Sequence, residues 1–263
     1  MTAERLSNAV PAAAGARAWV GILAPYREPA VARSIIEILI TAVPFVVLWL
    51  LAWAALSISY WTSFVIAVIA SGFLVRLFAI QHDCGHGTLF RRRRVNDWVG
   101  RVIGVLTLTP YDVWRRDHAV HHASSGNLEK RGIGDIVTLT VQEYLARSSW
   151  GRLRYRAYRN PLVLFVIGPA YQFLLRNRLP LGQMDGGRIP WTSAMATNLG
   201  IALLAGIGIW IFGLVPFLLV HLPITLIAAS IGVWLFYVQY QFEDPSWPGG
   251  SNWELHDAAL HGS

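Results

Sequence analysis

Cysteine is nearly absent from this sequence. Cys84 is the only one in 263 residues. That excludes a disulfide framework, a cysteine zinc cluster, a c-type haem attachment motif and an iron–sulfur cluster held by the chain itself. Charge is scarce too: 14% of residues are Asp, Glu, Lys or Arg, against about 25% in soluble domains. With 54% hydrophobic residues, the balance points to a membrane protein. No Gly-x-Gly-x-x-Gly follows a strand pattern, so no dinucleotide fingerprint is present. The net charge of +7 could suggest nucleic acid, but no nucleic-acid-binding module accompanies it and the arginines flank apolar segments instead. The first 33 residues do not read as a secretory signal, because Pro11, Pro25 and Pro29 interrupt them and no apolar core of the needed length is left.

What is present is four apolar stretches long enough to span a bilayer, which takes roughly 20 residues of helix. They run over 34–58, 61–80, 193–214 and 217–240. Very short links join the first to the second and the third to the fourth, so each pair reads as a hairpin that crosses and returns. Pro44 and Pro223 are expected to kink their helices, as membrane helices tolerate. Seventeen of the 22 Lys and Arg residues lie between Gln81 and Trp191, and none lies in the hairpin tips. Basic loops stay on the cytoplasmic side. The organisation expected is a cytosolic segment 1–33, a hairpin 34–80, a cytosolic part 81–192, a second hairpin 193–240 and a cytosolic segment 241–263. The short apolar pieces Gly104–Pro110 and Pro161–Leu175 read as interfacial or re-entrant.

Seven of the eight histidines fall in three clusters on the predicted cytoplasmic side. "HDCGH" places His82 and His86 at i and i+4. "DHAVHH" places His118, His121 and His122 at i, i+3 and i+4. "HDAALH" holds His256 and His261. On helices, each of the first two sets shares one face. Neutral imidazole is a good ligand for iron, zinc, copper or nickel. Ligand histidines usually donate their second N–H to a carboxylate or carbonyl, and each cluster carries one acid nearby: Asp83, Asp117 and Asp257. Five histidines in the first two clusters exceed the four of a closed zinc site, which favours two metal ions. His221, alone in the fourth apolar stretch, reads as a structural residue, and Cys84 as a small residue that permits close packing. The run Arg91–Arg94 reads as a membrane-surface anchor, with docking of an acidic redox partner as the alternative.

Beyond the histidines, "LAPYREP", "HDCGHGTLF", "HAVHHASSGNLEKRGIGDIVTLTVQEY", "FYVQYQFED" and "NWELHDAALHGS" together resemble the membrane fatty acid desaturase family, in its bacterial and cyanobacterial acyl-lipid branch. The resemblance extends over nearly the whole chain. It implies an all-α integral membrane fold of four transmembrane helices in two hairpins under a cytosolic helical cap, in the bacterial inner membrane. It implies two non-haem iron ions held almost entirely by histidines, with O₂ as co-substrate and a membrane lipid acyl chain as substrate. The residues that carry over as ligands are His82, His86, His118, His121 and His122. The spacing of "DAALH" adds His261, with Asp257 as its hydrogen-bonded or water-bridged partner, and His256 has no counterpart. The family has a further HxxHH box downstream of the segment matching "HDAALHGS". The expectation is therefore that the sequence as given stops short of that box, and that these 263 residues alone bind fewer than two irons and do not desaturate lipids.

Removing two hydrogens with O₂ consumes two external reducing equivalents. With no dinucleotide fingerprint and no iron–sulfur cysteines, the chain is expected to use a separate donor of the ferredoxin type. Two other readings compete: a hydroxylase or ketolase of the same architecture acting on alkanes or carotenoids, and a metal-binding membrane protein without catalysis, such as a transporter.

Overall fold

The computed structural model describes residue 24 and residues 28–124, 127, 129–130 and 136–238. Among the described residues the chain is helical, with no strand. Among those residues, four helices are long and apolar enough to cross a membrane: α1 (Val31–Ala55), α2 (Tyr60–His86), α8 (Arg188–Phe212) and α9 (Leu214–Val238). The elements between α2 and α8 are α3 (Arg93–Leu106), α4 (Tyr111–Ser124), α5 (Val141–Ala146), α6 (Ser149–Tyr158), a π turn (Val163–Ile167), α7 (Gly168–Leu174) and a 3-10 turn (Arg176–Arg178). The expected all-α membrane architecture is what folds.

Helix α2 is central, packed on α1 along one side and on α9 along the other. Its buried stripe is Ser63, Ala67, Ala70, Ser71, Leu74 and Leu77, small residues first and larger ones deeper. Small side chains let helices approach closely where no water drives them together. Phe45 and Ala52 of α1 and Val220, Ile224 and Ala228 of α9 belong to the same core. The outer helices bury far less of their apolar windows, 17% in α1 and 6% in α8 against 39% in α2. Ile36, Leu39 and Val46 on α1, with Leu203, Ile207 and Trp210 on α8, are exposed, a surface suited to lipid. The charges within the first hairpin are paired: Arg76 of α2 lies 2.6 Å from Glu37 of α1. Isolated charges within membrane helices are expensive and normally find such partners.

The helix limits differ from the hydropathy windows in an informative way. Helix α1 begins at Val31 rather than 34, and α8 at Arg188 rather than 193. Backbone hydrogen bonding continues past the apolar window, because polar residues are acceptable where a helix leaves the bilayer. Helix α2 starts at an N-cap, with Ser59 Oγ accepting from the Trp61 amide, and continues through 80 to His86. The first histidine pair thus stands on the same rigid rod as the span. Gly87 ends that rod at φ +75, the left-handed conformation that makes glycine the usual helix terminator. Gly213, at φ +84, forms the tight connection between α8 and α9. Pro44 and Pro223 sit inside helices that continue through them.

Candidate metal centre

The end of α2 is held by polar contacts to its last carbonyls, which have no partner within the helix. Tyr111 Oη donates to the Cys84 carbonyl at 2.8 Å, and Arg93 Nη2 donates to the Gly85 carbonyl at 3.1 Å. Asp97 on α3 gathers Arg93, Arg115 and the Tyr111 hydroxyl. Arg101 of α3 forms a two-point pair with Asp112 of α4, at 3.0 and 3.1 Å. The Asp112 amide in turn donates to Ser193 Oγ on α8. These bonds set α4 across the end of α2, with the histidine faces opposed. Arg93 thus holds α2, and Arg91 pairs with Glu28, so the arginine run is partly structural.

His82 and His86 of α2 meet His118 and His122 of α4. One nitrogen from each of the four lies within 4.8 Å of the others. His86 Nε2 is 3.3 Å from His82 Nε2 and 3.1 Å from His118 Nε2. A neutral imidazole nitrogen carries either an N–H or a lone pair, so His86 Nε2 can form a hydrogen bond with only one of these two neighbours, and the other contact sets like groups against each other. A cation among them resolves that repulsion. Four neutral nitrogen donors fit a transition metal ion. Burial, followed by the neighbouring imidazoles, holds His118 down at about 3 and His122 at about 4. Both are therefore neutral and ready to ligate at neutral pH, as metal binding requires.

The remaining expected site residues fall around this group. His121 is buried on the same turn of α4 but does not join the four-nitrogen group; its ring lies 5.6 Å from His122 and 5.3 Å from Phe236 of α9. The Asp83 carboxylate is 3.6 Å from His82 Nδ1, on the side of the ring opposite Nε2. Asp117 accepts from Gln183 Nε2 at 2.7 Å, and burial pushes its carboxyl up, opposed by that bond and by Arg176 and Arg116. Cys84 is buried and outside the group. His256, Asp257 and His261 lie outside the described residues.

Sequence reading missed Trp114. Its ring stacks on His118 at 4.6 Å and 15° and meets Phe78 edge-on. Gly85 makes room for it: a Cβ there would come within 2.8 Å of the indole. The signal was available, since Trp114 precedes His118 by four residues and so shares its helical face. Beside the histidines opens a cavity of ≈ 2010 Å³. Its walls carry His82, His118, His121 and His122 together with apolar residues such as Leu74, Phe78, Leu164 and Phe236.

The depressed imidazoles give a testable pH dependence for the metal-free protein. Unfolded histidines take up protons near 6.5, whereas folded His118 and His122 do so only near 3 and 4. Between those values the unfolded state binds more protons, so stability rises with pH and falls as pH is lowered from 6.5 towards 4. The melting temperature of apoprotein in detergent should show this slope, and His118→Gln/His122→Gln should flatten it. Equal slopes in the two proteins would contradict the assignment.

Known proteins resemble this chain over most of its length. The family model described as fatty acid desaturase matches residues 59–262. A fatty acid desaturase of Bacillus subtilis is 46% identical over 241 residues, covering 92% of this chain and 68% of the relative. A Synechocystis sn-1 acyl-lipid omega-3 desaturase (ferredoxin) is 28% identical over 198 residues, 70% of this chain and 52% of its own length. An Anabaena variabilis sn-1 oleoyl-lipid 12-desaturase is 33% identical over 110 residues, 41% of this chain and 30% of the relative.

Proposed function

This chain belongs to the fatty acid desaturase family, a family of oxidoreductases, and on that premise we propose that it is an O₂-dependent acyl-lipid desaturase. The observation that carries the proposal is the meeting of four imidazoles at the wall of a large, mostly apolar cavity. His82, His86, His118 and His122 would hold one iron, with His121 and His261 available to a second. The irons would supply the oxidising power from O₂ that removal of two hydrogens from an unactivated acyl chain demands. The protein's part is to present neutral ligands and align the chain. Leu74, Phe78 and Phe236 line a path for the acyl chain, and Trp114 fixes the His118 ring. Asp83 stands where it can accept from His82 Nδ1 and direct Nε2 inward.

The hydroxylase and ketolase readings have no counterpart among the relatives named above. A transporter would place its site near the bilayer midplane, whereas these histidines stand on the last turns of α2 and on α4, beyond the apolar windows. The test is expression of the full-length protein in a bacterial host, followed by chromatography of the lipid acyl chains. New double bonds are expected. Hydroxylated or unchanged lipids would refute the proposal.

The electron donor is a separate protein of the ferredoxin type, and the exposed Arg92, Arg94, Arg154 and Arg156 offer it a basic surface. Purified enzyme should therefore turn over with reduced ferredoxin and not with a reduced pyridine nucleotide alone. The protein resides in the bacterial inner membrane with its histidines on the cytoplasmic side, because the long central segment carries most of the basic residues. A cysteine introduced at exposed Ser149 should resist a membrane-impermeant thiol reagent in intact cells and react once they are permeabilised. Rapid labelling of intact cells would invert the topology.

A further inference from the structure

One stretch of the cavity wall is polar, and the proposed chemistry leaves it unused. It includes Arg116, Asp117, Gln172, Arg176, Gln183 and Asp185. Most arginines near the centre are committed: Arg93 and Arg115 to Asp97, and Arg101 to Asp112. Arg116 and Arg176 are exposed and line the cavity, and among the described residues neither forms an ion pair. Asp117 is bound by Gln183. Among the described residues, Arg176 donates to the neutral amide oxygen of Gln172, at 3.2 Å. Arg116 lies against the backbone at Gly186, its Nη1 3.0 Å from where a Cβ would stand. The two guanidinium groups belong to different elements, α4 and the 3-10 turn, yet both line the same cavity. A guanidinium presents a planar fork of donors matched to phosphate oxygens.

We propose that Arg116 and Arg176 form a subsite for the phosphodiester of a membrane phospholipid, whose acyl chain extends from there along the apolar wall towards the histidines. This rests on the lipid-desaturase reading above and deepens it by naming the headgroup chemistry. Asp185, on the same wall, bears on which phospholipid fits best, since an anionic headgroup would meet its charge and an ammonium-bearing one would pair with it.

The experiment measures binding rather than turnover. Full-length protein in neutral detergent is titrated with fluorescent phosphatidylethanolamine and with fluorescent diacylglycerol bearing the same acyl chains. The ratio of the two affinities is compared in the wild type, Arg116→Gln/Arg176→Gln and Arg188→Gln, the last removing an exposed arginine that does not line the cavity. The ratio should fall about tenfold in the double variant, equivalent to about 1.4 kcal/mol, and stay unchanged in Arg188→Gln. Diacylglycerol binding controls for misfolding. An unchanged ratio in the double variant, or an equal fall in Arg188→Gln, would overturn the proposal. So would displacement of the lipid by inorganic phosphate alone, which marks a free-phosphate site, or an equal dependence on the two arginines for a free fatty acid, which marks a carboxylate site. An inactive protein that keeps the arginine-dependent preference would refute only the desaturase reading. An active desaturase without that preference would refute only the subsite.

Discussion

His118→Ala is expected to lower lipid desaturation by more than about 100-fold, beyond the 10–100-fold cost typical of losing only a group that supports a ligand. His118 is the most connected member of the cluster. Its Nε2 lies 3.1 Å from His86 Nε2, its ring is 4.5 Å from that of His82 and 4.4 Å from that of His122, and Trp114 stacks on its face. Removing the imidazole deletes a donor and leaves Trp114 without the surface that orients it. The membrane helices should still insert, because α4 carries none of the spans. The measurement is metal content by elemental analysis together with acyl-chain composition, on protein confirmed to be in the membrane fraction. Near-normal unsaturation would remove His118 from the centre. The companion variant His121→Ala separates two geometries. Because His121 stands apart from the four-nitrogen group, its loss should spare the metal held by the four and reduce only the remainder. Loss of all metal would place His121 in the same coordination sphere as the others.

The parts legible in the sequence are those where one physical signal acts alone. Apolar windows of bilayer length located α1, α2, α8 and α9, since transfer into hydrocarbon is decided by composition over about 20 residues. The i, i+4 spacing of His82 with His86 and of His118 with His122 was enough to put each pair on one helical face. What the spacing could not settle was the separate setting of His121. Neighbouring positions on a helix differ by about 100°, so His121 and His122 look alike in a motif yet point differently, and only the place of α9 decides what His121 meets. Long-range pairs were equally hidden. Arg76 in the second span has its reason in Glu37, 39 residues earlier. Nothing in the linear pattern announces that Tyr111 will bond to the last turn of α2. The histidine cluster "HDAALH" and the segment around it lie outside the described residues, so the ligand role of His261 stands as a proposal.

Gly100→Ala is expected to destabilise the protein markedly, whereas Gly72→Ala should leave it unchanged or slightly more stable. Both glycines lie inside helices, where alanine is intrinsically favoured by about 1 kcal/mol. Their surroundings reverse the sign. A Cβ at Gly72 meets nothing within 4 Å, whereas at Gly100 it would clash with the ring of Tyr111. That ring is fully buried, and its hydroxyl is tied to the Cys84 carbonyl and to Asp97. It can move only by giving up those bonds or by pushing α3 away from α4. Overpacking of this kind costs about 1–3 kcal/mol, and losing the bond donated by the single hydroxyl hydrogen adds about 1 kcal/mol. In a chain of this size each kcal/mol shifts the melting temperature by about 2–4 °C. Because Cys84 lies between His82 and His86, displacing Tyr111 also frees the turn that carries the first histidine pair. Metal content should therefore fall with stability in Gly100→Ala and hold in Gly72→Ala, measured by thermal unfolding in detergent and elemental analysis of the same samples. If Gly100→Ala keeps both its melting temperature and its metal, the Tyr111 clamp does not position the centre, and the approach of α4 to α2 must be held by the Arg101–Asp112 pair instead.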